Sequence, residues 1–127
     1  MGQVLQYVWS APSRAVGCDL MKYMCTVFVD SIRDSLKDAG FARSEKGEEI
    51  GGNFLVAYDN ELFQIESDYQ VGRTINNYAA IGSGYSYALG SMFTSEEDNS
   101  ETRIKIALAA AANFNSTVRA PFTVKKA

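Results

Sequence analysis

An amphipathic pattern that runs from Asp19 to Ala39 restricts the fold of this chain more than any other feature. Apolar residues recur there at intervals of three and four while polar residues fill the opposite side, which predicts a helix with one buried face. Gly40 followed by Phe41 predicts that this helix ends in a left-handed turn with an apolar residue just beyond it. The positions on the predicted buried face are Leu20, Tyr23, Met24, Val27, Phe28, Ile32 and Leu36.

Two β-rich segments, residues 54–58 and 62–66, flank Asp59 and Asn60 and predict a hairpin. Asp and Asn accept the left-handed backbone of a two-residue hairpin turn more readily than most residues that carry a side chain. Both faces of the first strand are apolar. We therefore expect a sheet that helices cover on one side and a second sheet covers on the other.

Shorter patterns predict the remaining elements, and we expect one domain over residues 1–127. The charged stretch 43–52 and the polar stretch 71–77 are predicted to be loops. Ser100 is expected to cap the last helix, and Glu101 is favoured by the positive end of its dipole. The other predicted elements are a helix over 3–9, a strand over 78–81, a helix over 85–93, a helix over 101–115 and an edge strand over 121–124.

The chain contains no histidine, which removes several kinds of catalytic site. Serine and cysteine triads that use imidazole as general base cannot form, nor can zinc sites with histidine ligands. Cys18 and Cys25 fall on one predicted helix, where the rise per residue separates their Cα atoms by about 10 Å. A disulfide needs less than about 7 Å. We therefore expect buried or half-buried thiols in a reducing compartment, the cytoplasm.

The charge of the chain is mild, with 12 basic and 15 acidic residues and a formal net charge of −3. No block of lysine or arginine occurs, so we expect no nucleic-acid partner. No apolar run is long enough for a membrane span, and the first residues lack the basic region of a signal peptide. We expect neither export nor a membrane partner.

A short glycine-rich motif, Gly82, Ser83 and Gly84, lies between a predicted strand and a predicted helix. In that arrangement backbone N–H groups can face an anion or an oxyanion. A dinucleotide site would need a glycine at position 87, where this chain has Tyr87, and no phosphate-loop motif occurs. The simplest interpretation is two turn glycines around a helix-capping serine, and one alternative is an α+β domain that binds a small anion at this motif.

The segment from Tyr78 to Gly90, YAAIGSGYSYALG, resembles the strand-GSG-helix segment of proteasome β-subunits and of HslV, the bacterial proteasome-related peptidase. The predicted hairpin and the alanine-rich helix over 101–115 resemble the elements on either side of GSG in that family. The resemblance implies an α+β fold, the four-layer α-β-β-α sandwich of N-terminal nucleophile hydrolases, here truncated at the N-terminus. It also implies a cytoplasmic homo-oligomeric ring that degrades polypeptides, with an ATPase as a further partner.

The chain differs from this family at the residues that carry out catalysis. The family nucleophile is a threonine at the mature N-terminus, whose α-amino group acts as base with the help of an aspartate and a lysine. Here Met1 and Gly2 precede a helix, and no threonine follows a glycine. We therefore predict no nucleophile among these residues. The chain is either the later part of a threonine-type peptidase subunit, inactive as given, or a noncatalytic subunit used for ring assembly or binding.

The resemblance assigns supporting roles to a few residues. Ser83 matches the family serine that forms hydrogen bonds near the threonine amine, and Gly82 and Gly84 would keep the backbone close to substrate. No cofactor is required, although HslV holds a monovalent cation on backbone carbonyls. The resemblance transfers those carbonyls to Ala112, Asn115 and Val118. The lysines Lys22, Lys37, Lys46 and Lys105 are expected to be solvated, and in the noncatalytic alternative Tyr7, Val8 and Trp9 are interface residues.

Overall fold

The computed structural model describes residues 2–41, 43–45, 48–96 and 98–126, with side chains described outside residues 43–50. It forms two compact units, Met1–Ile75 and Asn76–Ala127. The molecule is a small α+β protein with helices and a three-stranded antiparallel sheet. The single domain over 1–127 stays a prediction.

The first unit contains the long helix predicted over 19–39, which is present as three consecutive pieces. Asp19 caps it, because the carboxylate accepts a hydrogen bond from the backbone N–H of Lys22 at 2.8 Å. At the other end Gly40 has φ +74°, and the N–H of Phe41 donates to the carbonyl of Leu36 at 2.8 Å. Both predicted ends are thus confirmed. The pieces are α2 (Leu20–Tyr23), a π-helical turn (Met24–Phe28) and α3 (Val29–Asp38), and α1 (Gly2–Tyr7) precedes them.

The π-helical turn changes which side chains face the core. Its wider turn places Met24 and Val29 inside, five positions apart, while Val27 is 49% exposed. The prediction that Val27 belongs to the buried face is therefore wrong, because it assumes an uninterrupted α-helical period. The hydroxyl of Thr26 donates to the carbonyl of Lys22 at 2.7 Å within this widened stretch.

The two cysteines differ from expectation in the same region. Cys25 lies in the π-helical turn and is exposed, so the prediction of a buried or half-buried thiol is wrong for it. Cys18 is half-buried as expected, but it precedes the helix, since Asp19 is already the cap. Both are free thiols.

The core of the first unit lies between the long helix and the sheet. Each large apolar side chain that is fully buried there contributes roughly 1.5–3 kcal/mol relative to exposure. Trp9 extends the core, because its ring meets the ring of Phe28 edge-on at 5.2 Å and its indole N–H donates to Ser31 Oγ at 3.0 Å. The buried residues are Tyr23, Met24, Phe28, Val29, Ile32, Leu36, Phe63 and Ile65.

The predicted hairpin is confirmed, and it forms two of the three strands of the antiparallel sheet. Phe54 pairs with Ile65 in antiparallel register. Asp59 and Asn60 form the turn with φ 53° and 60°, the left-handed backbone that a two-residue hairpin connection requires. The sheet has the order β3 (Phe54–Tyr58), β4 (Glu61–Ile65), β5 (Val71–Arg73).

Two segments predicted to be loops contain strands, and both predictions are wrong. The third strand β5 lies within the polar stretch 71–77, where Val71 pairs with Ile65 on the free edge of β4. The charged stretch 43–52 contains a separate antiparallel pair, β1 (Arg43–Glu45) and β2 (Glu48–Ile50). Main-chain hydrogen bonds hold such short strands, so neither needs the apolar alternation by which strands are predicted.

The second unit is built on two helices, α4 (Tyr85–Thr94) and α5 (Ser100–Phe114), which confirms the helices predicted over 85–93 and 101–115. Their contact is made by small buried side chains, Ala88, Ala107 and Ala111, which allow close approach. No helix in the described part of either unit has the length and apolar character needed to cross a membrane.

Details of this unit correct three expectations. Asn99 rather than Ser100 caps α5, because its side chain accepts the N–H of Thr102 at 3.0 Å. The spacing of Ile104, Ala107, Leu108, Ala111 and Phe114 predicts a buried apolar stripe on α5, but Phe114 is 66% exposed and stacks on Tyr87 at 5.4 Å between ring centroids. The strands predicted over 78–81 and 121–124 are absent from the described chain, since neither segment meets a neighbouring strand there to share its backbone hydrogen bonds.

Candidate functional site

The glycine-serine-glycine motif forms the turn that leads into α4. Gly82 has φ +97°, a left-handed conformation that glycine adopts without strain, and its carbonyl accepts the N–H of Tyr85 at 3.2 Å. Gly84 is the residue that caps the helix, and no side chain contributes to the cap. The interpretation of Ser83 as a helix-capping serine is therefore wrong, which leaves its hydroxyl for other partners.

Gly84 packs directly against α5 and the turn that follows it. A Cβ atom at this position would lie 2.9 Å from the Cβ of Ala111 and 2.8 Å from Cγ2 of Val118. These distances are shorter than carbon atoms tolerate, so the motif can rest on α5 only with glycine here. Gly84 is thus a packing glycine in this structure, and its expected closeness to substrate stays a prediction, as does that of Gly82.

Three side chains connect the motif to the turn after α5. The Asn115 amide Nδ2 donates to the carbonyl of Ser83 at 2.7 Å, and its Oδ1 accepts the backbone N–H of Thr117 at 2.9 Å. The hydroxyl of Thr117 also donates to Asn115 Oδ1 at 2.6 Å, and Ser83 Oγ lies 2.5 Å from Thr117 Oγ1. We call Ser83, Asn115 and Thr117 the hydroxyl-amide cluster. Ser83 and Thr117 are exposed, so a molecule in solvent can reach the cluster.

Thr117 is the member of this cluster that no sequence pattern or family resemblance indicates. The resemblance points to Asn115 only through its backbone carbonyl, whereas in the structure its side chain contacts Ser83. The stretch Asn115-Ser116-Thr117 does carry a local signal, because an asparagine that accepts the backbone N–H two residues later is typical of a turn. That signal predicts the turn but not its contact with a serine 32 residues earlier in the chain.

The resemblance assigns a monovalent cation to the backbone carbonyls of Ala112, Asn115 and Val118. These residues lie at the end of α5 and in the turn after it. Ala112 lies in the last helical turn, where carbonyls lack intrahelical donors, and the carbonyl of Asn115 accepts the N–H of Val118 at 3.1 Å. Neutral carbonyl oxygens are hard ligands and suit a hard cation in their chemistry. The described residues contain no group of three His, Cys, Asp or Glu side chains that could hold a metal ion.

Arg103, Lys105 and Glu101 of the second unit each have a partner in the structure. The Arg103 guanidinium donates to the carbonyl of Met92 at 2.7 Å and lies over the ring of Tyr78 at 5.1 Å from its centroid. Lys105 is exposed and donates to Glu101 at 2.5 Å, and this hydrogen bond lowers the pKa of the Glu101 carboxyl. The expectation of a solvated Lys105 is confirmed. Lys22 and Lys37 are also exposed, and Lys46 lies outside the described residues.

The three residues proposed for an interface separate into two groups. Tyr7 and Val8 are each 76% exposed. Trp9 packs against the core of the first unit through Phe28 and Ser31. Only Tyr7 and Val8 are therefore open to a partner.

Neither known family models nor curated protein sequences show a match to this chain. A solved structure, Thiobacillus denitrificans BPH, superposes on it with a TM-score of 0.70 and 21% sequence identity. The superposition covers 94% of this chain and 65% of that one, so the chain spans less than two thirds of the length of its structural neighbour. Likeness at this identity shows a shared fold and leaves the activity open.

Proposed function

We propose that these residues form the later part of a proteasome- or HslV-like threonine-type peptidase subunit that degrades polypeptides. The observation that carries the proposal is the hydroxyl of Ser83. It is exposed on the glycine-serine-glycine turn and is held by Thr117, while Asn115 fixes the backbone beneath it. A hydroxyl oriented in this way suits the supporting role that the resemblance assigns to Ser83. The nucleophile itself would come from outside the residues described.

The four-layer sandwich is part of the same proposal. Phe54, Val56 and Tyr58 pack on the core beneath the long helix, so alternation turns Leu55 and Ala57 to the opposite face of β3. Leu62 pairs with Ala57 and adds to that face. Leu55, Ala57 and Leu62 share this second face with Gln64, and their apolar side chains support a second sheet packed against it, as a sandwich requires.

The residues present would contribute binding and orientation rather than bond cleavage. Ser83 would accept a hydrogen bond from the amine that acts as base in a threonine peptidase. Carbonyls of Ala112, Asn115 and Val118 would hold a monovalent cation, whose charge would stabilise the turn that presents Thr117. We propose no other cofactor. A homo-oligomeric ring, an ATPase partner and a cytoplasmic location follow from the same assignment and are proposed with it.

The in-frame DNA upstream of Met1 tests the proposal most directly. It should encode alternating apolar strands, a threonine just after the initiator or after a processing glycine, and a lysine further on. A stop codon immediately upstream would contradict the assignment. If the segment exists, the longer product should hydrolyse fluorogenic peptides. Replacing the threonine by alanine should abolish that activity, and Ser83→Ala should reduce it.

A noncatalytic subunit for ring assembly or binding is the second candidate. Exposure of Tyr7 and Val8 at the start of the chain supports it, because large exposed apolar side chains are enriched where proteins associate. Size-exclusion chromatography with light scattering separates the two candidates. A stable ring without peptidase activity favours the noncatalytic subunit, and a monomer or an aggregate favours the incomplete peptidase, whose sheet would have unpaired edges.

A further inference from the structure

The orientation of the Asn115 side-chain amide is fixed by its neighbours. The carbonyl of Ser83 can only accept, so the amide atom 2.7 Å from it is the NH₂ group. The backbone N–H of Thr117 can only donate, so the amide atom 2.9 Å from it is the oxygen. Both contacts require the same orientation, and Oδ1 therefore faces Thr117.

This orientation determines the direction of every proton in the hydroxyl-amide cluster. An amide oxygen cannot donate, so the 2.6 Å contact between Thr117 Oγ1 and Asn115 Oδ1 uses the single hydroxyl proton of Thr117. Thr117 then has no proton left for Ser83. The 2.5 Å contact between Ser83 Oγ and Thr117 Oγ1 must use the proton of Ser83. Ser83 consequently presents only lone pairs to its remaining neighbours.

We infer that Thr117 is a positioning residue that makes the Ser83 hydroxyl a hydrogen-bond acceptor toward the solvent side of the turn. This inference rests on the proposed function, in which a primary amine has to be received beside Ser83. An oxygen with free lone pairs favours an N–H donor such as an ammonium group. The same oxygen opposes an anion, because it has no proton to offer. Because Ser83 donates its proton to Thr117, the alternative that the serine hydroxyl binds a small anion is also weakened.

Removal of the Thr117 hydroxyl should change Ser83 from an acceptor of N–H groups into a hydrogen-bond donor that can bind an anion. Thr117→Val replaces the hydroxyl by a methyl group of similar size, so the Ser83 proton loses its acceptor and becomes free to donate. Thr117→Ser keeps a hydroxyl at the same position and is the matched control. Thr117→Ala is the second variant to use if valine disturbs the fold, which the amide spectrum reports.

The experiment is a titration of the 127-residue chain followed by the NMR amide signals of Ser83, Gly84 and Thr117. The probes are threonine amide, its N-acetyl derivative, which lacks the ammonium group, and inorganic phosphate at equal ionic strength. In the parent chain and Thr117→Ser, we expect shifts at these residues with threonine amide that are at least threefold larger than with either other probe. In Thr117→Val, the response to threonine amide should fall at least threefold and a response to phosphate should appear.

Two outcomes would overturn the inference. One is a parent chain that responds to phosphate as strongly as to threonine amide, or to neither. The other is a Thr117→Val variant that keeps the parent preference. These readouts involve no peptidase activity, so a failure of this inference can be distinguished from a failure of the peptidase assignment. An upstream stop codon together with a reversed probe preference would leave Thr117 as a positioning residue while removing the peptidase assignment.

Discussion

The side-chain oxygens of Ser83 and Thr117 lie 2.5 Å apart although the residues are separated by 34 positions in the sequence. The contact joins the turn before α4 to the turn after α5, so it forms only when the two helices pack. Gly84 makes that packing possible, since a side chain at this position would collide with Ala111 and Val118. The candidate site is therefore a product of helix packing as much as of the residues that carry its chemistry.

Gly84→Ala should destabilise the protein by about 1–3 kcal/mol, because the added methyl group overpacks the contact with Ala111 and Val118. Urea unfolding followed by circular dichroism measures the change. Gly90→Ala in the same helix is the control. A Cβ atom at position 90 would meet no neighbouring group within 4 Å, so this variant should gain about 0.5–1 kcal/mol from helix propensity. Equal effects from the two variants would contradict the packing role of Gly84.

Ser83→Ala should cost about 0.5–1.5 kcal/mol of unfolding free energy, since it removes one hydrogen bond, the one to Thr117. Thr117→Val should cost more, since it removes the hydrogen bonds to both Ser83 and Asn115. The double variant should cost clearly less than the sum of the two, because both single changes break the same contact. Chemical unfolding of the parent chain, the two single variants and the double variant measures the coupling free energy between the two hydroxyls. Strictly additive costs would mean that the two hydroxyls do not interact.

Trp9→Phe should lower the unfolding free energy by about 0.5–1.5 kcal/mol. The phenyl ring can keep the edge contact with Phe28, but the hydrogen bond from the indole N–H to Ser31 is lost. Tyr7→Phe is the control on the preceding helix, and its exposed ring predicts a change within about 0.5 kcal/mol. Trp9 is the single tryptophan of the chain, so its replacement removes the tryptophan fluorescence. Unfolding of both variants is therefore followed by circular dichroism. If Trp9→Phe left the unfolding free energy unchanged, the core position of this side chain would be contradicted.

Burial raises the pKa of the Tyr23 hydroxyl to about 12 from its usual 10.0, and the hydrogen bond with Tyr58 adds to the shift. The folded state therefore favours the protonated phenol. Its contribution to stability is complete below the unfolded-state pKa and is lost as the pH rises through the folded-state pKa. We expect the unfolding free energy to fall between about pH 10 and pH 12. Tyr23→Phe should remove most of this slope, as measured by urea unfolding at several pH values.

Tyr7→Phe is the control that tests whether the fall of the unfolding free energy at alkaline pH is due to Tyr23. Tyr7 is largely exposed, so its replacement should leave the pH dependence unchanged. If Tyr23→Phe retained the full slope, another titrating group would be responsible.

Much of the first unit can be predicted from local pattern alone. The long helix follows from its apolar period and its end at Gly40, and the hairpin follows from two residues, Asp59 and Asn60, that accept a left-handed backbone. Each of these signals acts over a few neighbouring residues. Errors begin where that condition fails: the π-helical turn shifts Val27 outward, and β5 forms on the free edge of β4 with almost no apolar pattern of its own.

Local sequence pattern is sufficient to predict the helices, the hairpin and the glycine-serine-glycine turn, because capping, periodicity and turn conformation depend on a few neighbouring residues. The sequence also shows that none of these 127 residues supplies an imidazole. Tertiary structure alone decided that the segments over 78–81 and 121–124 stay without strand partners in the described chain, and that Asn115 and Thr117 meet Ser83. Strand pairing and hydrogen bonds between distant turns depend on which surfaces pack together, and that information is absent from local sequence pattern.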